Sequence, residues 1–214
     1  MSKAVPQDSA PAIAVLDYGI GNLRSAQKTL ERVGANPVLT RDPDVVAQAE
    51  GVVLPGVGNF GRVMEAIREH GVDKLVDMAI GANTPFLGIC VGMQALFTSS
   101  EEVPGVAGLG VFEGRVQRLI GDVKRPQMQW NTLNLVGKSR LLPVELEQSW
   151  VYFVHSYAPE LTRDAIATCD YGGEVVAAVE RGNIFATQFH PEKSGPVGYR
   201  SCATSSTCAE TTSR

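Results

Sequence analysis

An apolar run that ends at a cysteine, with a glycine two residues away on either side, constrains this chain more than any other feature. In Thr84-Pro-Phe-Leu-Gly-Ile-Cys90-Val-Gly-Met-Gln94 the segment Phe86 to Ile89 reads as a buried strand, and Val91 to Phe97 continues as a helix. A sharp strand-to-helix turn leaves no room for side chains beside its apex, so small residues must stand at Gly88 and Gly92. A thiol at the start of a helix feels the positive end of its dipole, which favours the reactive thiolate. The spacing predicts a nucleophile at Cys90. An inert cysteine packed in an ordinary strand–helix junction is the competing reading, and the rest of the chain weighs between them.

The chain has 214 residues, enough for one well-buried domain. A net charge of −4 gives no electrostatic footprint for nucleic acid or an anionic membrane, and no apolar run approaches the length of a membrane span. Residues 1–11 lack an apolar core, so they read as a frayed tail and not as a signal peptide or an anchor. Cys90, Cys169, Cys202 and Cys208 have no zinc-type spacing and are too sparse for a disulfide framework. They predict a reducing, cytoplasmic setting and no metal.

Ala12 to Leu16 is an apolar strand ended by Asp17-Tyr-Gly-Ile-Gly-Asn22. Leu23, Ala26, Leu30 and Val33 then recur at helical spacing, with Asn22 as N-cap and Gly34 as the stop. Pro37 to Thr40 and Val52 to Leu54 are further strands, separated by a polar stretch. Two helical segments, around Val63 to Ile67 and Val72 to Ile80, lead to the Cys90 strand. This rhythm predicts an α/β fold with a mostly parallel sheet flanked by helices. The second half is richer in β: Leu109 to Phe112, Arg115 to Ile120, Asn131 to Val136, Val151 to His155, Ala165 to Thr168, Val175 to Val179 and Ile184 to Gln188 read as strands of that same sheet. Gly172-Gly173 and Arg181-Gly182-Asn183 are placed as hairpin turns.

Gly56-Val-Gly58-Asn-Phe-Gly61 matches a dinucleotide fingerprint, with Asp77 as the later acid. It follows the third strand instead of the first, Pro55 opens it, and Asp77 falls inside a helical pattern, so the match is weak. The better reading is an oxyanion-binding loop beside Cys90, with backbone N–H groups from Val57, Gly58 and Val91.

A cysteine nucleophile needs a base, and the base an orienting group. There are three histidines. His70 reads as a helix-end residue and His155 as a packed strand end. His190 is delivered by Phe185-Ala-Thr-Gln-Phe-His190-Pro-Glu192, where residues two apart in extended chain share a side. Glu192 can then hold one ring nitrogen while the other faces a thiol. Gln94, one turn beyond Cys90, projects toward the same place.

Gly88-Ile-Cys90-Val-Gly-Met-Gln94 together with Gln188-Phe-His190-Pro-Glu192 resembles the class I, triad-type glutamine amidotransferases. Within them, Asp17 to Asn22, Pro55 to Gly61, Met128-x-Trp130-Asn131 and Tyr152-Phe-Val-His-Ser-Tyr157 are similar to the glutaminase subunits of imidazole glycerol phosphate synthase. The resemblance implies a flavodoxin-like domain over residues 12–198 and a catalytic set of Cys90, His190 and Glu192. It implies that Gly56, Gly58, Gln94, Ser156 and Tyr157 hold glutamine, and that Trp130, Asn131, Tyr152 and Lys193 lie near a subunit interface. It further implies glutamine hydrolysis through a thioester, with no metal or organic cofactor. The ammonia would pass to a (β/α)8-barrel cyclase partner in a heterodimer. That partner makes imidazole glycerol phosphate and aminoimidazole carboxamide ribotide in histidine biosynthesis, and glutaminase turnover depends on its being occupied.

The chain departs from the family at two places. Where the pattern reads Pro-His-Met-Gly-Trp-Asn, this chain has Pro126-Gln-Met-Gln-Trp-Asn131. Gln127 loses an imidazole, and Gln129 strains the backbone if positive φ is needed there. In place of an apolar closing helix, residues 199–214 show no helical apolar period. A shifted reading frame and a genuine disordered tail both fit. Either predicts uncovered apolar surface near His190, lowered stability, and exposed thiols at Cys202 and Cys208. Two other functions stay open: another triad-type amidotransferase or cysteine hydrolase, and a docking subunit without activity.

Overall fold

The computed structural model describes residues 10–207. Its elements in chain order are β1 (Ala12–Leu16), α1 (Leu23–Arg32), β2 (Asn36–Thr40), α2 (Pro43–Gln48), β3 (Gly51–Gly56), α3 (Phe60–Glu69), α4 (Val72–Gly81), β4 (Phe86–Cys90) and α5 (Val91–Ala95). There follow β5 (Ser99–Ser100), β6 (Arg115–Arg118), β7 (Gln127–Thr132), β8 (Asn134–Leu135), β9 (Trp150–His155) and β10 (Tyr157–Pro159). The chain then forms β11 (Ala165–Asp170), β12 (Glu174–Arg181), β13 (Ile184–Thr187) and α6 (Gly195–Thr207).

The main sheet has the order β2-β1-β3-β4-β13-β12-β11-β8. Its first five strands run parallel and the last three alternate in direction. Every residue of β3 and β4 is buried, as expected of parallel strands covered on both faces. Burying each large apolar side chain contributes about 1.5–3 kcal/mol, so the apolar runs that marked these strands also fix them at the centre. Helices α1 and α6 pack on each other, and α4 packs on both α2 and α3. The carboxyl ends of β3, β4 and β13 lie side by side: Gly56 pairs with Cys90, and Ile89 with Thr187. Ligand sites in open α/β sheets form at such ends.

The expected α/β fold is present, with four differences in detail. First, the back half does not form one sheet. Strands β10, β6 and β5 make a separate three-stranded sheet, and β7 and β9 an antiparallel ribbon. The expected strand Asn131 to Val136 is broken at the fully buried Leu133, leaving its ends in two different sheets. Second, Leu109 to Phe112 is a loop, turned by Gly110 at φ +67°. Third, the polar stretch before β3 contains α2. Asp42 caps it by accepting from the Asp44 N–H at 2.9 Å, Pro43 starts it, and only Val46 is buried.

The fourth difference is the carboxyl end. Residues 199–207, expected to be disordered, belong to α6. Ser194 just before it and Gly198, Ser201 and Cys202 within it are buried, a helical spacing carried by small and polar side chains. Cys202, expected to be exposed, is 3% exposed. Burial and the nearby Glu192 charge push its thiol up to about 12. Cys208 lies outside the described residues, as do residues 1–9 of the expected amino-terminal tail. Pro11 of that tail already accepts the Asn36 N–H at 2.9 Å.

Candidate active site

Cys90 is the last residue of β4 and has φ +55°, ψ −111°. A side chain seldom tolerates such a backbone, and the strain belongs to a forced turn between strand and helix. The glycines around it are sterically required. A Cβ on Gly92 would lie 2.0 Å from the Leu54 carbonyl oxygen, and one on Gly56 would lie 2.3 Å from the Gly92 nitrogen. The backbones of β3 and α5 therefore touch, which draws the Gly-rich loop after β3 to the cysteine.

His190 follows β13 and precedes a 3₁₀ turn, Pro191–Lys193. Its Nδ1 lies 2.7 Å from Glu192 Oε1, and both side chains are nearly fully buried. Burial alone would lower the imidazole's pKa. Hydrogen bonding and the negative charges of Cys90 and Glu192 outweigh it and push His190 up to about 10. The ring is thus held as a cation between Cys90 and Glu192. Nδ1 is committed to Glu192, while Nε2 makes no hydrogen bond of ordinary geometry. Asn22 was expected to cap α1. It holds the capping position but makes no side-chain cap; its Nδ2 instead donates to Glu192 Oε1 at 3.4 Å.

The turn is tied to the ribbon. The His190 N–H donates to Tyr152 O at 3.0 Å, the Tyr152 N–H donates to Ser194 Oγ at 3.0 Å, and Ser194 Oγ donates to His190 O at 2.7 Å. On the other side, the Tyr18 hydroxyl donates to Pro55 O at the end of β3. Burial, and then the Cys90 charge, raise Tyr18 well above the ordinary phenol range, so it stays a donor.

A cavity of about 410 Å³ opens over Cys90. Of the residues singled out from sequence, Cys90, His190, Val57, Gly58, Val91, Gln94, Ser156, Tyr157 and Lys193 all line it. Glu192 stands behind His190, and Gly56 lies under the loop in a second crevice. Gln94 Nε2 donates to Tyr157 O at 2.9 Å and to Gln188 Oε1 at 3.0 Å, leaving its own carbonyl oxygen as an acceptor. Gln188 Nε2 in turn lies 3.7 Å from Cys90 Sγ. Cys169, by contrast, is driven up to about 12 by burial and is no nucleophile.

Four lining residues escaped the sequence reading, two of them, Glu102 and His155, with polar side chains. Glu102 accepts the Phe60 N–H at 2.7 Å through Oε2 and leaves Oε1 free of that bond. His155, read as simple packing, also lines the cavity. The Ser-Ser-Glu-Glu run before Val103 was the available signal for the first.

Trp130 and Tyr152 are cross-strand partners in the ribbon, with ring centroids 6.0 Å apart, and Lys193 Nζ sits 5.7 Å from the Tyr152 centroid. Met128, Trp130 and Trp150 are strongly exposed beside them. Asn131 does not join this face: its Nδ2 donates to Asp170 O at 2.9 Å. Gln129 is exposed in extended backbone, so it carries none of the strain feared for a glycine replacement. Gln127 is fully buried, with Nε2 3.8 Å from Cys169 Sγ and Oε1 unpartnered.

Comparison with known proteins gives a consistent picture. The family described as "Glutamine amidotransferase class-I" matches residues 14–201. The "Imidazole glycerol phosphate synthase subunit HisH" of Methanothermobacter thermautotrophicus is 47% identical over 190 residues, covering 87% of this chain and 93% of that protein. The protein of the same name from Deinococcus radiodurans is 46% identical, covering 90% and 92%. Among solved structures, PurLQS from Thermotoga maritima matches with TM-score 0.71 at 21% identity, over 92% of this chain and 97% of that one. The glutaminase domain of Trypanosoma brucei CTPS with bound acivicin matches with TM-score 0.63 at 17% identity, over 92% and 94%. The structural matches bear on the fold alone.

Proposed function

The chain belongs to the class I glutamine amidotransferases, among the HisH subunits of imidazole glycerol phosphate synthase, and on that premise we propose how its residues divide the work. Cys90 attacks the carboxamide carbon of glutamine, His190 delivers its proton to the departing nitrogen, and Glu192 holds the imidazole in place. Ammonia leaves, a thioester remains, and water attacks it with His190 now acting as base. The observation that carries this reading is the single cavity of about 410 Å³ in which a cysteine at φ +55° meets a histidine anchored 2.7 Å from a buried glutamate.

Both tetrahedral species carry an oxyanion. The first N–H groups of a helix have no partner within it, so Val91 offers a donor at the start of α5, and Val57 and Gly58 offer theirs from the loop opposite. The amino-acid end of glutamine is held by acceptors for its ammonium, Glu102 Oε1 and Gln94 Oε1, with Gly56, Gly58, Ser156 and Tyr157 around it. Domain limits follow the same reading, with the amidotransferase domain spanning residues 12–198.

Ammonia is passed to a cyclase subunit docked as a heterodimer on the exposed ribbon face. Support comes from Met128, Trp130 and Trp150, large apolar groups left in water, together with Lys193 at the cavity rim and the Tyr152 ring beside it. Asn131 contributes from the far side of its strand by holding Asp170. The setting is the cytoplasm; no helix among the described residues is long and apolar enough to cross a membrane.

The test is glutamate release from glutamine, with and without the cyclase subunit and its nucleotide ligand, using Cys90→Ala as control. The reading requires release that needs the occupied partner and disappears in Cys90→Ala. A folded protein that docks and releases nothing would leave only a docking subunit.

A further inference from the structure

The proposed mechanism gives no task to His155, yet this side chain is built as one. It is the last residue of β9, 6% exposed, and it lines the cavity over Cys90. Its Nδ1 lies 2.9 Å from Tyr157 O. A carbonyl only accepts, so Nδ1 carries the hydrogen and Nε2 is left with a bare lone pair. That Nε2 is buried and has no hydrogen-bond partner. Burial lowers the ring to about 4, beyond what the Tyr157 bond restores, and the His190 charge lowers it further. The ring is therefore neutral, with one fixed tautomer and one unmet acceptor. Leaving a buried polar atom unmet is costly, and a ligand bearing an N–H would recover that cost.

Position narrows the ligand. The Val154 carbonyl, part of the peptide joining Val154 to His155, lies 4.0 Å from Cys90 Sγ. Tyr157 O, which fixes the ring, is also held by Gln94, itself joined through Gln188 to the same sulfur. The imidazole is thus locked to the frame around the reacting atom, close enough to His190 to feel its charge.

We infer that His155 Nε2 accepts an N–H from the carboxamide nitrogen of bound glutamine and so orients the leaving group. The inference rests on the glutaminase reading above. As the Sγ–C bond forms, the carbonyl electrons move to oxygen. When that oxyanion collapses, the C–N bonding pair goes to nitrogen, which takes the proton from His190 Nε2. One N–H held by His155 turns the nitrogen lone pair toward His190. No bond to that hydrogen breaks, and no proton passes to His155. A cation at this place would repel the protonated His190 and offer no lone pair, which is why the neutral tautomer matters.

The experiment compares glutamine with L-glutamate γ-methyl ester, whose leaving oxygen carries no hydrogen. Both are assayed on the complex with the cyclase subunit, normalised by titration of reactive Cys90. His155→Asn keeps a donor where Nδ1 stood and removes the acceptor; His155→Gln puts an amide oxygen near the place of Nε2. His155→Asn should lower kcat/KM for glutamine about tenfold while changing the ester less than about twofold, the loss of one hydrogen bond, and His155→Gln should recover part of it. The amide-to-ester ratio within one preparation cancels any loss of folded protein. An unchanged ratio in His155→Asn, whether both rates fall or neither does, overturns the inference. A wild-type complex inactive on glutamine would overturn the functional reading itself, which separates the two failures.

Discussion

Replacing Gly198 by alanine opposes two effects of similar size, and the structure says which prevails. Gly198 lies in α6, where alanine ordinarily stabilises a helix by about 0.5–1 kcal/mol over glycine. Here a Cβ would lie 1.8 Å from the Pro191 carbonyl oxygen and 2.6 Å from its carbon. Ordinary contact would require the helix to retreat by roughly 1.5 Å, and the obstacle is backbone that cannot rotate away. Overpacking of this kind costs about 1–3 kcal/mol, so the net change is a loss of about 1–2 kcal/mol, or roughly 2–8 °C in Tm for a domain of this size. Activity should suffer more than stability. Pro191 opens the turn that carries Glu192, and a displacement near 1 Å at a catalytic set costs on the order of a hundredfold in rate. Urea unfolding and glutaminase turnover in the partner complex measure the two losses. A Gly198→Ala protein that is more stable than wild type and fully active would refute the reasoning, because helix propensity alone would then describe α6.

Three other outcomes follow from the site. The two buried histidines should shape stability in opposite directions. His190 holds its proton more tightly folded than unfolded, so its contribution is complete below pH 6.5 and lost as pH rises toward about 10. His155 is held neutral, so its contribution is complete above pH 6.5 and lost as pH falls toward about 4. Urea midpoints across that range should peak near pH 6.5, with His155→Asn flattening the acid limb and His190→Asn the alkaline one; unchanged limbs count against these assignments. Glu192→Gln keeps the shape but removes the anion, and should lower kcat by about 10²–10⁴ with KM little changed; full turnover would show that His190 needs no carboxylate. Trp130→Ala should weaken binding of the cyclase subunit by at least about 1–2 kcal/mol in calorimetry without affecting the fold, and an unaltered affinity would place the docking face elsewhere.

The parts of the fold legible in the sequence are those where one physical demand dominates. Strands β3 and β4 are buried on both faces, so they show as unbroken apolar runs. Gly56 and Gly92 are forced by backbone contact, so the turn around Cys90 shows as a spacing. The rest failed where burial and apolarity part company. Helix α6 buries serine, glycine and cysteine, which an apolar period does not register. Phe112 is fully buried yet sits in a loop, so its apolar run imitates a strand. Helix α2 buries only Val46 and is held by its cap. In the site, the Cys90, His190 and Glu192 set could be read because local spacing and strand geometry announce each part. Glu102 and His155 could not, because their roles depend on Phe60 and Tyr157 taking up one polar atom and leaving the other.

Strand β9 alternates without a fault: Trp150, Tyr152 and Val154 turn one way, and the buried Val151, Phe153 and His155 turn the other. On the proposed reading the outward set addresses a partner and the inward set ends at His155 in the cavity wall, so recognition and chemistry are written in alternate letters of one word. A substitution in either set leaves the other legible. A single inserted or deleted residue would exchange the two, putting an imidazole on the exposed face and an aromatic ring in the cavity wall. Changes of partner specificity in this lineage should therefore arise by replacement within Trp150–His155, with its length held constant.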